Sequence, residues 1–80
     1  RQELGHILIG LTADNEIWID RQSVDLRAVR AHIERLHAEH PEGAVVIQAD
    51  KAANAGLLVQ IIDQSRLAGV EDISIAADLE

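Results

Sequence analysis

Cysteine, methionine, phenylalanine and tyrosine are all absent from this chain, and Trp18 is its whole aromatic complement. Without cysteine there is no disulfide, no thiolate metal site and no cysteine nucleophile, and the absence fits an oxidising compartment as well as a reducing one. Lysine occurs once, at Lys51, and seven basic residues face fourteen acidic ones, leaving a net charge of −7. Such a surface repels nucleic acid and anionic lipid, because phosphate binding relies on neutralisation by Lys and Arg. No nucleic-acid partner is expected. No apolar run approaches the roughly 20 residues that a membrane-spanning helix needs. With no methionine and a first residue of Arg1, the chain is expected to be a piece of a longer protein or a processed one, whose leader or anchor would belong to the missing part. What remains is an aliphatic core material of Ile, Leu, Val and Ala, each burying less area than an aromatic ring. Eighty residues supply one small core, which is marginally stable alone and gains from self-association.

The strongest local signal runs from Ala44 to Ala77. Residues 44–49 (AVVIQA) form a short apolar run suited to a central strand. A helix from Asn54 to Ala68 follows, with Leu58, Ile61, Ile62, Ser65 and Ala68 on its inner stripe and Val59 and Leu67 off it. Gly69 is placed to cap it, since a positive φ costs glycine little. Residues 72–77 supply another strand, with Ile73 and Ile75 on one face. This β-α-β unit has the length of a right-handed parallel crossover.

Before it, residues 6–12 and 16–20 alternate in strand fashion around the turn signal Ala13-Asp14-Asn15. They predict a hairpin in which Ile7, Ile9, Leu11, Ile17 and Ile19 point inward. Residues 23–40 read as a helix with Ser23 or Asp25 as N-cap and Leu26, Val29, Ile33 and Leu36 on its apolar stripe; Pro41 ends it. The expected fold is α+β: a two-layer β-β-α-β-α-β domain with two helices packed on one face of a small mixed sheet. The other face, carrying Leu8, Trp18 and Val46, or a sheet edge, is left free for a partner.

Candidate chemistry is sparse. His37 and His40 lie three apart on a helix after Glu34, but no third ligand is identifiable, so no metal site and no cofactor are expected. His32 is expected to be exposed, and His6 has no obvious partner. Ser23 and Ser65 lack a positioned base and a strained elbow and read as a cap and a packing residue. No glycine-rich phosphate loop is present. No catalytic residue is expected, and the chain does not read as an enzyme. Two features stay open between a structural and a functional reading. Asp50-Lys51 follows a strand directly and is either a turn ahead of the helix or a polar pair at a binding edge. Trp18 either covers a sheet face or anchors an interface.

The ordered set Leu11-Thr12-Ala13-Asp14-Asn15, Val24 to Leu26, Ala49-Asp50-Lys51, Asp63 and Ala68-Gly69-Val70 resembles the periplasmic domain of the ExbD/TolR family, over roughly Ile7 to Asp78. The Ala-Asp-Lys form leans toward the ExbD branch. The chain departs from the family at Ala55, where an aromatic residue is common. The resemblance implies a domain over residues 6–78, with residues 1–5 the stub of a linker and 79–80 a C-terminal stub. It implies a periplasmic domain anchored to the inner membrane by an N-terminal transmembrane helix outside this sequence. Through that helix it implies contact with an ExbB-like channel; in the periplasm it implies a homodimer that docks a TonB-like partner, driven by proton-motive force. A TolQ-TolR-TolA-type complex, or a passive dimerisation domain, is the alternative. The candidate partner-binding residues are Asp50, Lys51, Ile73, Ser74, Ile75, Ala76 and Trp18, with strand addition to an open sheet edge as the expected mode.

Overall fold

A computed structural model describes residues 5–77. Its elements are β1 (Ile7–Leu11), β2 (Ile17–Ile19), β3 (Gln22–Val24), α1 (Leu26–Glu39), β4 (Val45–Ala49), α2 (Ala55–Leu67) and β5 (Ile73–Ala77). The five strands form one sheet in the order β3-β2-β1-β4-β5. β1, β4 and β5 run parallel, while β2 is antiparallel to both β1 and β3. The architecture is the expected α+β fold with a mixed sheet. Of the stubs expected at 1–5 and 79–80, residues 1–4 and 79–80 lie outside the described residues, as does the expected end of the domain at 78.

Strand alternation sorts the side chains as the sequence pattern requires. Ile7, Ile9 and Leu11 of β1 are buried and stand level with Val45, Ile47 and Ala49 of β4. Ile17 and Ile19 extend the same layer on β2. Val29 and Ile33 of α1 and Ile61 of α2 close over this face, and all belong to one core cluster. Ile9, Ile33, Ile47 and Ile61 are at most 1% exposed; fully burying one such side chain contributes about 1.5–3 kcal/mol. No described element covers the opposite face, where Leu8 is 59% and Trp18 39% exposed.

One strand was not foreseen. Residues 22–24 pair with β2, Ile17 with Val24 and Ile19 with Gln22. The connection is a two-residue turn in which both Asp20 (φ 54°) and Arg21 (φ 65°) are left-handed, the conformation that a type I′ hairpin demands. Ser23 therefore lies in β3 and caps nothing. Asp25 is the N-cap of α1, its Oδ1 accepting from the Arg27 N–H at 2.9 Å. α1 accordingly starts at Leu26, three residues after the first cap candidate.

The β4-α2-β5 unit follows expectation closely. Asn54 caps α2, its Oδ1 accepting from Leu57 N–H at 3.0 Å. At the other end Val70 N–H donates to Ser65 O and Gly69 N–H to Arg66 O, a Schellman arrangement with Gly69 at φ 101° just past the cap residue Ala68. Ser65 is buried in the helix stripe and its hydroxyl donates to the Ile61 carbonyl at 2.9 Å. Val59 and Leu67, off the stripe, are 54% and 60% exposed.

Candidate functional site

Strand β5 has β4 on one side and, among the described residues, no strand on the other. In a parallel pair, alternate residues turn both main-chain groups toward the same neighbour. Val45 N–H donates to Asp72 O, whereas Ile7 N–H donates to Ala44 O and Asp50 N–H to Leu11 O. Residues 45, 47 and 49 therefore bond β5, and the even-numbered residues of β4 bond β1. By the same alternation β5 spends Ser74 and Ala76 on β4. The N–H and C=O groups of Ile73 and Ile75 point away from the sheet. They are the groups that an added strand would bond.

The side chains at this edge form two unlike surfaces. Ile73 and Ile75 stand on the helix-covered face, level with Val45 and Ile47. Ile73 is half-buried, while Ile75 is 48% exposed. Ser74 and Ala76 lie exposed on the open face. There, the pairings Trp18–Gly10, Gly10–Gln48 and Gln48–Ala76 define one row across the sheet. Gly10 leaves a gap in that row beside Trp18, whose Cβ is 3.8 Å from where a Gly10 Cβ would sit.

The other candidate residues are placed differently. Asp50 follows β4, and its Oδ2 accepts from Ala52 N–H at 2.8 Å while its carbonyl accepts from Ala53 N–H at 2.9 Å. Its carboxylate is engaged in the turn, which favours the structural reading of that residue. Lys51 is exposed in the same turn, near the carboxyl end of β5. The turn is braced from the hairpin: Asn15, left-handed at φ 66°, accepts from Asn54 N–H at 2.7 Å through its side-chain oxygen. Asp50 and Lys51 thus lie past the carboxyl end of β4, while residues 73–76 run along the β5 edge toward that end, Ile73 being level with Val45 at the other. Trp18 does not join them. β1 and β4 separate its strand from β5, a distance of roughly 14 Å at the usual strand spacing. Its indole N–H donates to Glu16 Oε1 at 3.2 Å.

The histidines divide further. His6, which has no obvious partner in the sequence, accepts at Nδ1 from Ala44 N–H at 2.9 Å, a contact across 38 residues of sequence that no local pattern signals. His32 Nδ1 lies 3.3 Å from Arg35 Nη2 and is half-buried where exposure was expected. His37 packs its ring beside Gly69, with Nδ1 buried and without a hydrogen-bond partner. Among the described residues no group of three His, Asp or Glu side chains is arranged to hold a metal ion. Electrostatic perturbation is centred on the α1 cap, where Arg27 lowers the Asp25 carboxyl, mainly through its backbone N–H and then through its guanidinium, and Asp25 in turn raises Arg27. Their ion pair, at 3.2 Å, is widely exposed and contributes little to stability.

The sequence of residues 2–80 matches the family model described as biopolymer transport protein ExbD/TolR. The chain belongs to the ExbD/TolR family. A curated relative, the biopolymer transport protein exbD2 of Vibrio cholerae serotype O1, is 39% identical over 77 residues. That alignment covers 96% of this chain and 58% of the relative, so the chain spans a little over half the length of that ExbD protein. No described helix is long and apolar enough to cross a membrane.

Proposed function

We propose that this chain is the periplasmic domain of an ExbD-type protein in a complex that uses proton-motive force to power transport at the outer membrane. In this reading it has no catalytic role. It pairs with a second copy of itself and docks an extended segment of a TonB-like protein, while an ExbB-like channel is engaged through a transmembrane helix elsewhere in the protein. Family membership and the name of the Vibrio relative support the transport role. The observation that carries the docking mode is the open edge of β5, with the outward main-chain groups of Ile73 and Ile75 beside a half-exposed Ile75 side chain. Main-chain hydrogen bonds would supply affinity there, and the alternating side chains of the added strand would supply specificity. The opposite edge, β3, is three residues long against five for β5 and offers a shorter template.

The test is a titration of the 15N-labelled chain with an extended peptide from the TonB-like partner. Docking by strand addition moves the amides of Ile73 and Ile75 and protects them from exchange. Shifts confined to α1 and α2 would rule the mode out. Sedimentation over a concentration series tests self-association, and a strictly monomeric species at all concentrations would refute it.

A further inference from the structure

Ala44 is held from both sides by the beginning of β1. Its carbonyl accepts from Ile7 N–H at 2.8 Å, and its N–H donates to His6 Nδ1 at 2.9 Å. An imidazole nitrogen that accepts carries no proton, so the ring here is neutral with its hydrogen on Nε2. A protonated ring has donors at both nitrogens and would set N–H against N–H. Ala44 is 6% exposed, and a buried amide left without an acceptor is costly. Protonation of His6 and the bond to Ala44 exclude one another.

A protonated ring would have another place to go. His6 lines an open cavity of about 560 Å³ together with Asp20 and Arg21 of the β2–β3 turn and Glu39 and His40 at the end of α1. Two carboxylates and two basic groups therefore face it from the packed elements. Glu42, in the loop leading to Ala44, and Asp72, next to it at the start of β5, are both exposed. His40 lies against the backbone just before His6: Gly5 is left-handed at φ 70°, and a Cβ there would collide with the His40 ring. The chain at residues 5–6 is thus fitted closely to α1 while His6 reaches to Ala44.

We propose that His6 is a two-position proton switch: neutral, it clasps the start of β1 to the start of β4 through Ala44; protonated, it releases Ala44 and turns to the Asp20 and Glu39 carboxylates in the cavity. The device biases how the chain before β1 leaves the sheet, at the end opposite Asp50-Lys51. Its sign follows from linkage. The clasp binds the unprotonated ring, so it is present at higher pH and is lost as His6 takes up a proton.

The test is NMR of the 80-residue chain between pH 8 and pH 5, following the His6 ring nitrogens and the Ala44 amide. At the upper limit Nδ1 is the unprotonated nitrogen and Ala44 is protected from exchange. On acidification the Ala44 shift moves in step with His6, and its protection factor falls at least about tenfold. In H6N the carboxamide oxygen replaces the acceptor without titrating, so Ala44 stays protected throughout; H6Q provides the same reading where H6N does not fold. Combining D20N with E39Q moves the wild-type transition to lower pH, and H40Q leaves it in place. An Ala44 amide that is unchanged while His6 titrates would overturn the switch, as would a transition that persists in the non-titrating variants or disappears in H40Q.

Discussion

Replacing Ile75 by proline separates the docking edge from the fold. The N–H of residue 75 points away from β4, because β5 bonds β4 through Ser74 and Ala76 in the alternation fixed by Val45 N–H on Asp72 O. Proline removes an outward donor and takes nothing from the ladder, the circumstance in which an edge strand tolerates it. It also pushes the preceding residue toward extended backbone, which Ser74 already adopts within β5. The Ile75 side chain is 48% exposed, so its loss from the core is small. I75P should therefore unfold within about 1 kcal/mol of the parent in urea. Docking should suffer more. One main-chain bond is lost, and a carbonyl of the added strand is left facing the ring, together about 1–3 kcal/mol. That is a roughly 5- to 150-fold loss of affinity for an extended partner peptide, measured by calorimetry or NMR titration. S74P is the contrasting variant, since it removes a donor that β4 uses and should destabilise the fold itself. If I75P folds normally and binds the peptide as tightly as the parent, while W18A weakens binding, the partner lies across the open face of the sheet and the edge argument fails.

Three further outcomes follow from the packing and caps. I47A empties a fully buried site at the centre of the sheet and should cost about 2–5 kcal/mol, a large part of the roughly 4–12 kcal/mol expected for a domain of this size; urea denaturation followed by circular dichroism reads it directly. N54A removes the cap that accepts from Leu57 N–H and should cost about 1 kcal/mol by the same measurement. At the α1 cap the folded state lowers the Asp25 carboxyl. Its stabilisation is thus present above the unfolded value of about 3.9 and is lost as pH falls through the lower, folded one. D25N keeps the cap without titrating, so its acid-limb stability should fall less steeply than the parent's, with the two profiles parallel near neutrality.

Most of the architecture was legible because hydrophobic period and turn chemistry agree along the chain. Ile7, Ile9 and Leu11 alternate as a strand must, Asn54 and Gly69 bracket α2, and the Asp-Asn pair marks the hairpin turn. β3 was missed because its residues, Gln-Ser-Val, bury Val24 alone, and because Asp20-Arg21 reaches the left-handed region without the glycine that advertises a type I′ turn. Ser23 was consequently open as a cap, a role the short strand removes. The edge residues 73–76 were placed correctly on β5, yet which of them face outward is a property of strand pairing, invisible until Val45 and Asp72 are seen to bond. Trp18 was grouped with them for its side chain alone. The partner of His6 is equally a product of topology, since β1 and β4 become neighbours only through the parallel crossover.

The parallel run of β1, β4 and β5 also fixes how the domain would carry a mechanical load. Chain that precedes β1 leaves from one end of the sheet, at Gly5, while Leu11, Ala49 and Ala77 mark the other end. β1 is the middle strand, gripped by β2 on one side and β4 on the other. Tension drawn along β1 from Gly5 and resisted by a strand seated on β5 would pull parallel to the strands. The ladder bonds between β1 and β4, and between β4 and β5, would then be strained together, in shear, instead of being unzipped one after another. A small domain with no disulfide would transmit force through many modest bonds acting at once.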